Sequence, residues 1–141
     1  MIILVVDDNS DFREIVRLSL QEAGHEVLEA GSSRQALQLA RQNRPHLILL
    51  DILMPGLDGY ETCRQFKTHP SLTQIPIMVL TALGDPLARY KAHQAGADDY
   101  AAKPISPQDL RDRVERLLRR YELFHRARRH PDDDTPEPPT P

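Results

Sequence analysis

Five short apolar runs, at residues 2–6, 27–29, 47–50, 77–80 and more weakly 99–102, alternate with segments of helical periodicity. Those segments cover 11–23, 33–42, 60–68, 86–95 and a long stretch from 107. Strands separated by helices pair in parallel, because a crossover helix brings each new strand back in the same direction. The first and third runs contain no polar residue, as expected of central strands covered on both faces. The pattern predicts an α/β fold built from βα units around a parallel sheet; a flavodoxin-like (βα)5 doubly wound sheet has the order 2-1-3-4-5, in which the first and third strands are neighbours. Its first and third strands then flank the switch point, where ligands bind.

Local signals agree with this frame. Gly24, Gly31 and Gly96 stand where elements should end. Asp58 to Glu61 has the pattern of a capping box for the third helix, and Ser106 with Pro107 opens the fifth. Asp11 is expected to cap the first helix. A chain of 141 residues, 40% hydrophobic and 28% charged, suits one globular domain. Its net charge of −3 argues against direct nucleic-acid binding. The single cysteine, Cys63, excludes an intrachain disulfide and suits a reducing compartment. The apolar start of six residues is closed by Asp7 and Asp8, unlike a signal peptide. No stretch has the length of a membrane span, so no membrane partner and a cytoplasmic location are expected.

The composition changes after about Leu118. Leu110, Val114, Leu117, Tyr121 and Phe124 recur at spacings of four and three, a heptad-like seam. The predicted organisation is a domain over 1–120, a helical extension over 121–130 and a proline-rich acidic tail or linker over 131–141. Residues 119–130 carry a net +4 and residues 131–141 a net −4. A charge run of this kind is more often a solvated face than a binding surface. The seam is short for a coiled coil by itself; extension of a dimer contact or signalling into a further domain are the roles it suggests.

Asp7 and Asp8 follow the first predicted strand, Asp51 closes the third, Thr81 closes the fourth and Lys103 follows the fifth. In an open parallel sheet these carboxyl ends share one edge, so residues far apart in sequence converge. An aspartate at a strand end usually caps a helix or makes a turn. Three acids, a hydroxyl and a lysine on one edge are a different matter. Two carboxylates about 4 Å apart repel by about 4 kcal/mol at an effective dielectric near 20. Either their pKa values rise or a cation sits among them. All-oxygen ligands favour a hard ion such as Mg2+. The constellation suits a metal and a phosphate together.

At these positions the sequence resembles the receiver domains of bacterial response regulators, in two-component signalling. The resemblance covers residues 1 to about 120. Its motifs are LVVDDN at the first strand, LLDILMPGLDG around Asp51, VLTA at the fourth strand and GADDYAAKP near Lys103. Thirty residues separate Asp51 from Thr81 and twenty-two separate Thr81 from Lys103, intervals typical of the family.

The resemblance implies that Asp51 is the phosphoacceptor. It implies that Asp8 ligates magnesium directly, Asp7 mainly through water, with Asp51 and the backbone carbonyl of Leu53 completing the protein ligands. Thr81 and Lys103 are each expected to bind a phosphoryl oxygen, and Pro104 to follow a cis peptide. Thr81 and Tyr100 are the expected switch residues, altering the face of the fourth helix, fifth strand and fifth helix. A histidine kinase or phosphotransfer protein is the implied donor; a downstream protein, or a second copy forming a homodimer, is the implied reader of that face. The chain is then no enzyme toward other molecules, catalysing only its own phosphorylation and dephosphorylation.

Leu53 and Leu83 distinguish this sequence, because many relatives have polar residues at those positions. Apolar side chains cannot orient an attacking water, which predicts a long-lived phosphorylated state. An aspartate-nucleophile phosphohydrolase is the enzymatic alternative. Such enzymes commonly place a second acid two residues after the nucleophile, where this chain has Leu53. The chain as the N-terminal regulatory part of a larger effector is the other alternative.

Overall fold

The structure, a computed structural model, describes residues 1–55 and 58–128, the last five of these by backbone only. The acidic tail, with Arg129 and His130, and the side chain of Phe124 therefore lie outside the described residues. The elements run β1 (Ile2–Val6), α1 (Ser10–Glu22), β2 (Glu26–Ala30), α2 (Ser33–Asn43) and β3 (Leu47–Leu50). They continue with α3 (Gly59–Thr68), β4 (Ile77–Thr81), α4 (Pro86–Gln94), β5 (Asp99–Ala102) and α5 (Pro107–Arg128). All pairings are parallel, as the alternating pattern predicts, and the strand order is the flavodoxin-like β2-β1-β3-β4-β5.

Strand alternation divides the core in two. Ile3, Val5, Leu47, Leu49, Met78 and Leu80 face α1 and α5. Leu4, Val6, Ile48, Leu50, Ile77 and Val79 face the layer of α2, α3 and α4. Opposite-facing neighbours explain why β1 and β3 carry no polar residue: both sides of each are buried. On α1, Val16 and Leu20 are buried at spacing four, each contributing about 2 kcal/mol.

The same logic accounts for most of the seam in α5. Leu110, Val114 and Leu117 are buried in this chain's own core, together with Leu118. Tyr121 is half-buried with its ring edge-on to His46, 6.1 Å between centroids. Among the described residues the seam is thus the underside of a helix packed on a sheet. The helix itself continues to Arg128.

The caps follow the expected chemistry with one shift. Asn9, not Asp11, caps α1, its side chain accepting from the Phe12 N–H at 3.1 Å. Asp11 instead lies in the first turn, where a negative charge suits the helix dipole. Asp58 accepts from Tyr60 N–H and Ser106 from Asp109 N–H, while Glu61 pairs with Arg64 instead of closing the capping box. Cys63 is fully buried on α3, and burial pushes its thiol up to about 11. It stays protonated and unreactive at neutral pH.

Candidate functional site

Register brings the polar residues together. Val6 of β1 pairs with Leu50 of β3, and Thr81 of β4 pairs with Ala102 of β5. Each strand therefore ends at nearly the same level, and the next residues stand on one edge. Backbone bonds continue the ladder beyond the strands: Asp7 N–H to Ala30 O, Asp51 N–H to Val6 O, and Lys103 N–H to Thr81 O, at 3.0, 2.9 and 2.7 Å.

The three acids converge. Asp7, Asp8 and Asp51 each offer a carboxylate oxygen, and these lie within 4.8 Å of one another. Asp7 and Asp51 are buried, whereas Asp8 is exposed. Lys103 bridges the two buried ones, its Nζ donating to Asp7 Oδ2 at 2.6 Å and Asp51 Oδ2 at 3.1 Å. The second oxygen of Asp51 accepts from Leu53 N–H at 2.9 Å, so the loop after β3 folds back on the acid.

Burial pushes the Asp7 carboxyl above its ordinary value; bonds from Lys103 and Asn9 oppose the rise and the charge of Asp51 adds to it. Burial works to lower Lys103, but its bond to Asp7 and the charges of both acids outweigh burial and raise it. One lysine thus leaves the cluster short of positive charge. A hard divalent cation fits the all-oxygen donor set, and Asp7, Asp8 and Asp51 are the residues positioned to hold it.

The remaining candidates take distinct places. Thr81 is fully buried, and its Oγ1 has no hydrogen-bond partner among the described residues. A buried hydroxyl is normally satisfied, so this one is available to an incoming oxygen. The Lys103–Pro104 peptide is cis, as expected. Tyr100 already lies inward, 6% exposed, its hydroxyl donating to the Leu83 carbonyl. The guanidinium of Arg89 sits 5.1 Å from its ring centroid. Leu83 packs partly against the core, whereas Leu53 is 47% exposed beside Asp51.

Three residues at the site escaped sequence reasoning. The Phe12 ring lies 4.0 Å from Lys103 Nζ, a cation–π contact that steadies the ammonium. Arg13 Nη1 donates to the Asp7 carbonyl at 2.5 Å. Gly59 packs directly on the Ile52 backbone, where a Cβ would come within 2.3 Å of Ile52 Cα. The signal for the first two was their position in the first turn of the helix leaving the acid pair.

The family model for the response regulator receiver domain matches residues 3–115. The chain is similar to a protein named "Probable transcriptional regulator ycf27" from Galdieria sulphuraria, 42% identical over 87% of this chain and 47% of that protein. It is also similar to the phosphate regulon transcriptional regulatory protein PhoB of Pseudomonas aeruginosa, 42% identical over 84% of this chain and 52% of that one. The chain therefore spans about half the length of the curated relatives it matches. Among solved structures, the Vibrio cholerae chemotaxis protein CheY4 superimposes with a TM-score of 0.79 at 31% identity, covering 82% of this chain and 97% of that one. Matched motifs, strand order and an acid cluster at the sheet edge agree: the chain belongs to the response regulator receiver domain family of two-component signalling.

Proposed function

We propose that the chain is a magnesium-dependent phosphoacceptor switch in which Asp51 takes a phosphoryl group from a phosphohistidine donor. The observation that carries this is the cluster of Asp7, Asp8 and Asp51 with Lys103 spanning its two buried members. A bound magnesium would offset charge on the phosphoryl oxygens, the main demand of phosphoryl transfer. Asp7, Asp8 and Asp51 would hold it, with the Leu53 carbonyl as the further protein ligand.

The chain's residues supply the rest. An Asp51 carboxylate oxygen forms the new bond to phosphorus as the bond to the donor nitrogen breaks. Lys103 exchanges its contact with Asp51 for a phosphoryl oxygen, and the unsatisfied Thr81 hydroxyl takes another. Tyr100 and Thr81 couple this pocket to the α4-β5-α5 face. That face carries a cleft of about 580 Å3 lined by Arg89, Tyr90, His93 and Tyr100 among others. Leu87 and Tyr90 stand 61% exposed on α4, an apolar footing for a partner protein or a second copy. Whether the reader is a separate protein or a domain joined in the same chain, the surface it meets is this one.

Incubation with acetyl phosphate and Mg2+ is expected to add one phosphoryl group, seen as an 80 Da mass increment of roughly the size of one metaphosphate unit, and chelation of the metal to prevent it. No increment in the presence of Mg2+ would sink the assignment. The exposed Leu53 beside Asp51 gives a second expectation. A polar amide at this position can hold the attacking water, so Leu53→Asn should shorten the lifetime of the phosphorylated protein by about tenfold. Equal decay of the two proteins would remove Leu53 as a determinant.

A further inference from the structure

The acids of the cluster are held by different means. Asp7 is tied at four atoms: its N–H donates to Ala30 O, its carbonyl accepts from Arg13, Oδ1 accepts from Asn9 N–H, and Oδ2 accepts from Lys103. Asp8 is exposed and shows no hydrogen bond or ion pair among the described residues. The aim of Asp8 therefore rests on its backbone. The peptide leading into it carries the Asp7 carbonyl, the atom that Arg13 grips at 2.5 Å.

Arg13 is itself well fixed. Its Nε donates to Glu29 Oε1 at 3.2 Å, and Glu29 is also paired with Arg17 at 3.1 Å. A Cβ at Gly31 would come within 3.2 Å of Arg13 Nη1, so the guanidinium lies close against the backbone that follows β2. One planar group thus joins the Glu29 side chain of β2 to the main chain that follows β1. The fork of a guanidinium allows both contacts at once, which an ammonium on a flexible stem cannot reproduce.

We propose that Arg13 is a positioning residue for the cation site: by fixing the Asp7–Asp8 peptide it aims the otherwise untethered Asp8 carboxylate. This rests on the magnesium-dependent assignment above. Charge alone argues the other way, because a guanidinium near the acids repels a divalent cation. The two effects have opposite signs, and that makes them separable.

Mg2+ titrations of the full chain, followed by backbone amide NMR without any phosphodonor, test the proposal. Arg13→Lys and Arg13→Gln should both bind Mg2+ about tenfold more weakly than the unsubstituted protein, the usual loss when a group orienting a ligand is removed. Glu29→Gln, which leaves the guanidinium but weakens its anchor, should show an intermediate loss and decides the matter if the Arg13 variants fail to fold. Unchanged or tighter binding by Arg13→Gln overturns the proposal. So does a fall in urea stability with Mg2+ affinity intact, since Arg13 would then serve the fold alone. Failure of the unsubstituted protein to bind Mg2+ would strike the phosphoacceptor assignment instead.

Discussion

Asp51→Asn is expected to remain at its unmodified mass under conditions where the unsubstituted chain takes up a phosphoryl group. The substitution is nearly isosteric, and one of the two anchors of the side chain survives in kind. One terminal atom can still accept from Leu53 N–H, and Lys103 retains its shorter bond to Asp7. What disappears is the negative charge and with it the nucleophile, because an amide oxygen does not form a stable bond to phosphorus. Stability should not fall to match. The change removes one ion pair with Lys103, but it also removes repulsion among acids within 4.8 Å of each other. That repulsion is about 4 kcal/mol per close pair at an effective dielectric near 20. Intact mass spectrometry and a urea melt on the same sample separate the two effects. A normal mass increment in the variant would move the acceptor to Asp8 or Asp7 and overturn the assignment of Asp51.

The site was legible in the sequence because its residues sit at strand ends and the strands are easy to find. Val6, Leu50 and Ala102 each precede a candidate site residue, and a parallel sheet in register lifts all of them to one edge. Contacts made across the chain were not legible. Phe12 meets Lys103 from ninety-one residues away, and only the packed position of α1 reveals it. The seam of α5 was ambiguous for a physical reason: spacings of four and three serve a helix on a sheet as well as a helix in a coiled coil. Leu110, Val114 and Leu117 show which partner they have. Arg44 was hidden in another way. It ends α2 in the left-handed conformation, φ 46°, where a glycine would have announced the stop. The inward Tyr100 could be assigned to its position but not to its orientation, which depends on the Leu83 carbonyl it meets.

Gly59→Ala tests a constraint that composition and periodicity do not disclose. Gly59 is the first residue of α3, directly after the cap Asp58. Helix propensity alone favours alanine there by up to about 1 kcal/mol. Packing opposes it strongly. The new Cβ would lie 2.3 Å from Ile52 Cα, 2.5 Å from its carbonyl oxygen and 2.7 Å from its carbonyl carbon. All three are backbone atoms, so no side-chain rotation relieves the overlap; either α3 retreats or the loop after Asp51 is displaced. Overpacking of this kind costs about 3 kcal/mol, more than the propensity gain. The displaced loop also contains Leu53, whose N–H holds Asp51, so Mg2+ affinity should fall along with stability. Gly84→Ala is the matched control, because its Cβ would meet only the Ala102 side chain, at an ordinary 3.8 Å. Urea unfolding of both variants should show a lower midpoint for Gly59→Ala and little change for Gly84→Ala. If Gly59→Ala instead proves as stable as the unsubstituted chain, propensity has won and the close approach of α3 is not what holds the Asp51 loop in place.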